Sequence, residues 1–143
     1  MSIQSKESMN RIFGIDFGLS KVGISISDPN KFISFPLKVI RYNKIDELLD
    51  EITTLSKNNN VNTIVLGYPL SMNFEKNDMT KRIDMFKDNL EKLGFKVFLQ
   101  DERLSSESAK RIMIDEKIKI GHNKEKVDLI ASTIILQSFL DKK

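Results

Sequence analysis

The stretch from Arg11 to Ser27 constrains this chain more than any other. Residues 12–17 are mostly branched and aromatic, as a buried strand requires, and they carry one carboxylate, Asp16, at their end. Val22-Gly-Ile-Ser-Ile-Ser27 then alternates apolar and small polar residues with period two, so a second strand returns beside the first. Gly18-Leu-Ser-Lys-Val22 reads as the hairpin turn between them, and a glycine at position 18 leaves the neighbourhood of Asp16 open to a ligand or another backbone. A carboxylate at the end of an apolar strand is either a satisfied structural cap or a binding group. One acid alone does not distinguish the two.

The rest of the chain supplies strands and helices in an informative order. Asp28-Pro-Asn-Lys31 predicts a turn, and residues 32–40 a third strand begun or interrupted at Pro36, where proline suits an edge. Three strands joined by short turns are expected to be antiparallel. Asn43 is the expected N-cap of a helix reaching about residue 57, with Ile45, Leu48, Leu49, Ile52 and Leu55 on one face and Asn58-Asn-Asn60 ending it. A short strand at 63–67 and a loop from Tyr68-Pro69 follow. The next helix, about 77–93, carries Ile83, Phe86, Leu90 and Leu93 inward and stops at Gly94. Residues 95–100 form a fifth strand, and Ser105-Ser106 cap a helix to about residue 116. The basic connection 117–126 is the expected mobile loop. The last helix, about 125–141, turns Val127, Ile130, Ala131, Ile134, Ile135 and Phe139 inward, with Asp128 beside that stripe.

Three antiparallel strands followed by helix, strand, helix, strand and two helices is the order of an α/β, RNase H-like fold. It predicts a five-stranded mixed sheet, three antiparallel strands with two more added in parallel through helical crossovers beside the first, flanked by helices. In that topology Asp16, the acidic pair Asp101-Glu102 and Asp128 converge. Strand parity puts Asp101 with Val97 and Leu99, and Glu102 with Phe98 and Gln100, and leaves open which of the two faces the site.

Composition narrows the chemistry. The 143 residues fit one domain over 11–143 behind a frayed segment 1–10, and 40% hydrophobic residues suffice for a core. There is no cysteine and one histidine, His122, so any metal is expected to be held by oxygen. His122 reads as a solvated loop residue, with product release or proton transfer as its functional alternative. No apolar run suits a membrane span, and the first ten residues lack the apolar segment of a secretion signal, so a cytoplasmic protein is expected. A net charge of +3 and a pI near 9.0 are compatible with a polyanionic partner. Carboxylates brought together repel one another unless a cation neutralises them, and an oxygen-only set favours Mg²⁺ or Mn²⁺. Two such ions about 3.5–4 Å apart activate a water and stabilise the leaving oxygen of a phosphodiester, with no nucleophilic side chain.

Four ordered motifs resemble one family. Ile15-Asp-Phe-Gly18, Val65-Leu-Gly-Tyr-Pro-Leu70 with Met72, Asp101-Glu-Arg-Leu-Ser105, and Lys126-Val-Asp-Leu-Ile-Ala131 with Ile134-Ile-Leu-Gln-Ser-Phe-Leu140 are similar to those of the YqgF family, over nearly the whole chain. Its members are RNase H-like proteins described as Holliday-junction resolvases and as nucleases that process the 5′ end of the 16S rRNA precursor. The resemblance implies a metal-dependent nuclease of ribosome biogenesis whose metal ligands and catalytic residues are Asp16, Glu102 and Asp128, and it prefers Glu102 to Asp101. The sequence departs from the family at Tyr68, where leucine is common, at Phe74-Glu75, where Asp-Gly is usual, and at Ser132, usually alanine.

The expected partner is nucleic acid, precursor rRNA or branched DNA, with ribosomal precursor particles as a further partner, and the chain is expected to be a monomer or a weak homodimer. Lys21, Arg103, Lys117, Lys119, Lys124 and Lys126 are the candidate phosphate contacts. Phe17 and Tyr68 are candidates for base stacking, with core packing as the default for both. Rival readings are a resolvase acting on four-way DNA junctions and a nucleic-acid-binding regulator without catalysis. A sugar-kinase or actin-type ATPase is disfavoured by six glycines and no second Asp-x-Gly.

Overall fold

The computed structural model describes residues 10–69, 78–101, 111, 115 and 127–142. Its elements are β1 (Arg11–Asp16), β2 (Lys21–Ser27), β3 (Ser34–Arg41), α1 (Ile45–Asn59), β4 (Val61–Tyr68), α2 (Asp78–Lys92), β5 (Lys96–Asp101) and α3 (Val127–Leu140). The sheet runs β3-β2-β1-β4-β5, antiparallel from β3 to β1 and parallel from β1 to β5, as the order of motifs predicts. Residues 1–9 of the segment expected to fray, the 70–77 part of the loop after Tyr68 and the connection 117–126 expected to be mobile lie outside the described residues. Within the stretch expected to be helical to about 116, the two described positions, Arg111 and Asp115, are helical. No described helix is long and apolar enough to cross a membrane.

Pro36 sits in the edge strand beside a register shift, positions where proline is tolerated. The register there jumps from Ile24↔Lys38 to Ser25↔Pro36, so Leu37 is the extra residue of a bulge. Between β2 and β3, Asp28 Oδ1 accepts from the N–H groups of Phe32 and Ile33 at 2.7 and 2.8 Å. Burial pushes that carboxyl up, but the donors Ile33, Phe32 and Asn30 outweigh it and hold the net value below the usual one.

The two faces of the sheet differ. On one, Phe13, Ile15, Ile64 and Leu66 pack with Leu48 and Ile52 of α1 and Ile83, Phe86 and Leu90 of α2. Phe17 belongs to this core, its ring 4.8 Å from that of Phe86, and Tyr68 packs against the same cluster, so both take their packing role. On the other face, Ile12 and Val65 meet Ile135, Leu136 and Leu140 of α3. Strand alternation sends Ile12, Gly14 and Asp16 to this second face.

α3 approaches the sheet at backbone distance. A Cβ at Gly14 would lie 2.6 Å from Leu136 Cβ and 2.8 Å from Ser132 O, and one at Gly23 would collide with the carbonyl of Asp128. Polar bonds fasten the contact: Ser25 Oγ donates to Ser132 O at 2.7 Å, Ser34 Oγ to Thr133 O at 2.7 Å, and Gln137 bridges Ser34 N and Phe32 O.

Three expectations need correction. The residue before α1 is Lys44, extended at φ −120° and ψ 142°, and not Asn43; there is no side-chain cap, and Asp46 and Glu47 oppose the helix dipole instead. Leu93 is exposed, because Phe95 N and Gly94 N bond back to Leu90 O and Glu91 O around Gly94 at φ 101°, a Schellman closure that turns Phe95 inward in its place. Val127 is exposed too, and the stripe of α3 on the sheet runs through Asp128, Ser132, Ile135, Leu136 and Leu140. A helix apolar on nearly every side leaves periodicity little to choose between.

Two expectations follow for stability. Gly14→Ala forces atoms apart in a packed interface and should cost about 1–3 kcal/mol, against less than about 0.5 kcal/mol for the exposed Leu93→Ala. Urea titration checks this, and a Gly14→Ala protein as stable as wild type would refute the close approach. The Tyr42 hydroxyl donates to Gly18 O and so ties down the turn after Asp16. Burial pushes its phenol above the ordinary value, with Arg82 opposing. The folded chain thus keeps that proton the more tightly, and the stability it confers is complete below the unfolded phenol range and is lost as pH rises through the folded value. Tyr42→Phe should therefore lose about 0.5–1.5 kcal/mol at neutral pH, with the gap to wild type narrowing in alkali. Equal stability of the two proteins at neutral pH would contradict it.

Candidate active site

Asp16 is the last residue of β1 and lies opposite Gly23 of β2 in the antiparallel register. One step beyond the Ile15↔Leu66 pair, the neighbour of Asp16 on β4 is Gly67, which in turn pairs with Gln100 of β5. Asp16 is therefore flanked on both sides by residues without side chains. The hairpin places it there: the turn after β1 is held by Tyr42, whose hydroxyl donates to Gly18 O and whose N–H donates to Ser20 O at 3.0 Å.

The second acid comes from the far end of the chain. Asp128 is in the first turn of α3, where the helix dipole favours a carboxylate. Its backbone lies so close over Gly23 that a Cβ there would be 3.1 Å from its own Cβ. Asp16 and Asp128 thus share Gly23 as a neighbour, one through the strand register and one through helix packing. Lys21, the first residue of β2, places its ammonium 3.4 Å from Asp128 Oδ2. That oxygen is buried and, among the described residues, accepts no hydrogen bond, so the contact is an ion pair without hydrogen-bond geometry.

Gln100 shares this face, as its neighbour Phe98 shows by meeting Phe139 of α3 at 5.3 Å between ring centres. It is 2% exposed, its Nε2 donates to Asp101 O at 3.4 Å, and its Oε1 is buried without a partner among the described residues. Two oxygens that accept no hydrogen bond among the described residues, the carboxylate oxygen ion-paired to Lys21 and an amide carbonyl, therefore lie on the α3 side of one sheet end. Such oxygens fit a hard cation, directly or through its water.

Of the residues singled out in the sequence, Asp16, Lys21 and Asp128 are brought together. Asp101 ends β5 opposite Tyr68, half-buried, and alternates away from Gln100. Glu102, Arg103, Lys117, Lys119, His122, Lys124 and Lys126 lie outside the described residues. Among the described residues no three acidic or histidine side chains form a cluster. Sequence reasoning missed Gly23, Gly67 and Gln100. The glycines carried a signal, a period-two or apolar strand interrupted by a residue with nothing to pack; a lone glutamine carried none.

Comparison with known proteins shows the family and the fold. A protein from Roseiflexus sp. (strain RS-1) named "Putative pre-16S rRNA nuclease" is 36% identical over 134 residues, covering 93% of this chain and 95% of its own. One of the same name from Ruminiclostridium cellulolyticum is 38% identical over 136 residues, covering 92% and 94%. Among solved structures, RuvC of Thermus thermophilus superposes with a TM-score of 0.60 at 9% identity, covering 91% of this chain and 93% of its own. The Fowlpox virus resolvase in complex with Holliday junction DNA gives 0.58 at 11%, covering 92% and 97%. Those two share the fold. The family model described as "RuvX: Holliday junction resolvase" matches residues 10–142, and the chain accordingly belongs to the RuvX family of nucleases and is a hydrolase of phosphodiester bonds.

Proposed function

We propose that this chain is a metal-dependent nuclease, one domain over 11–143, that processes the 5′ end of precursor 16S rRNA in the cytoplasm. The observation that carries the reading is the convergence of Asp16 and Asp128 on a floor of glycines, from elements at opposite ends of the chain. Asp16, Asp128 and Glu102 are the proposed ligands. Support for Glu102 is that Phe98 and Gln100, with which it shares strand parity, face α3. An all-oxygen set of this kind suits Mg²⁺ or Mn²⁺. When bound, such an ion supplies an activated water and neutralises charge on the leaving oxygen. The chain's own part is to hold the ligands fixed and keep side chains off the floor, which the hairpin, Gly23 and Gly67 do.

The substrate assignment rests on the names of relatives that this chain matches almost end to end. Ribosomal precursor particles are then the natural partner, and Arg103, Lys117, Lys119, Lys124 and Lys126 the proposed phosphate contacts, in a monomer or weak homodimer. The family's description favours a second substrate, the four-way DNA junction. Incubating the purified protein and Mn²⁺ with a precursor 16S rRNA fragment, a four-way junction and single-stranded controls separates the two. The precursor should be cut fastest; preference for the junction would exchange the readings.

Asp16→Asn should lower cleavage by at least about a hundredfold, more than loss of an outer-shell partner would, without lowering the metal-free melting temperature. It removes a charge that repels both the phosphate and Asp128. A variant that cleaves at the wild-type rate, or a wild-type melt indifferent to millimolar Mg²⁺ and Mn²⁺, would leave the non-catalytic binding module in front.

A further inference from the structure

Lys21 stands where a catalytic cation would be wanted. It follows Asp16 by one short turn and lies two residues before Gly23, hence on the same face of β2 as α3. Its Nζ is 3.4 Å from Asp128 Oδ2, and the side chains are 33% and 26% exposed, so the pair is neither sealed in the core nor free in solvent. The ammonium neutralises the acid without satisfying it, because the buried Oδ2 accepts no hydrogen bond among the described residues. A pair selected only for structure would be expected to close to hydrogen-bond geometry, as Lys87 and Glu91 do at 3.1 Å.

Lysine suits a temporary occupant. It is a compact charge on a flexible four-carbon stem and can leave one oxygen for another, whereas a planar guanidinium is built for a fixed fork. A small divalent ion comes to about 2.0–2.1 Å from its oxygens, closer than the ammonium does here, and two cations drawn to one carboxylate repel each other. On this ground, and resting on the metal-dependent reading above, we propose that Lys21 is the resident counterion of the site. It holds Asp128 in the metal-free protein, yields that oxygen when the divalent ion binds, and then meets the phosphate of the bound strand. The residue thereby sets the metal concentration at which the enzyme loads and remains useful afterwards.

The test is calorimetric titration of Mn²⁺ into the full chain and its Lys21→Met and Lys21→Arg variants, with cleavage of the rRNA fragment at saturating Mn²⁺. Lys21→Met should melt lower without metal, bind Mn²⁺ about tenfold more tightly, and yet cleave about tenfold more slowly. Lys21→Arg, which keeps the charge but grips a carboxylate as a fork, should bind Mn²⁺ no more tightly than wild type. Tighter metal binding together with slower cleavage is a combination that a merely structural ion pair does not produce. Unchanged or weaker Mn²⁺ affinity in Lys21→Met overturns the counterion role, and tighter binding with undiminished cleavage overturns the phosphate contact. Should Lys21→Met not fold, Lys21→Gln replaces it under the same criteria. No Mn²⁺ binding by any of the proteins, wild type included, would remove the metal reading itself and this inference with it.

Discussion

Everything in this structure depends on a helix lying against bare backbone. Gly14 and Gly23 omit the side chains that would hold α3 away from β1 and β2, and the resulting contact brings Ser132 and Leu136 onto the first hairpin and Asp128 over its turn end. Close packing of this kind is stiff, because shifting either element loses many small contacts at once. The hydrogen bonds from Ser25 and Ser34 to carbonyls of α3 add direction, since they fix the helix along its axis as well as across it. A site built on a strand end and a helix start inherits that stiffness without needing a rigid loop.

The sheet divides two kinds of interior. Toward α1 and α2 it is a core of large apolar side chains, Phe13, Ile64 and Phe86 among them, and no functional group is asked of it. Toward α3 it is a mixture of small apolar contacts with serine, threonine and glutamine whose polar atoms are mostly paired. Charge can be tolerated at the rim of the second face because polar partners are already present there. The same sheet thus supplies a foundation on one side and a workplace on the other.

Topology was largely legible in the residues, since a tight hairpin forces antiparallel pairing and each helical crossover forces a parallel neighbour. Strand ends, and with them the position of Asp16, followed from that. The facing stripe of α3 was not legible, because the helix is buried at Ile130 and Ile134 as well as at Leu136 and an all-round apolar pattern has no preferred direction. Nor was the approach of Lys21 to Asp128, a meeting between the two ends of the sequence that no local pattern encodes. Asn43 was misleading for a smaller reason: it is a good capping residue one position too early, and the chain turns at Lys44. Parity put Glu102 with Phe98 and Gln100 and could not choose between it and Asp101, and Glu102 lies outside the described residues.

The bond from Ser25 to Ser132 spans 107 positions, and that separation has a meaning for synthesis. At about 5–20 residues per second the hairpin leaves the ribosome on the order of 5–20 s before the helix that completes it. During that interval the first carboxylate is in place and the last is not yet made. With the ligand set proposed above, a partly translated chain has no working centre, and cleavage of any nucleic acid nearby, including the ribosome's own RNA, waits until translation has reached the final helix.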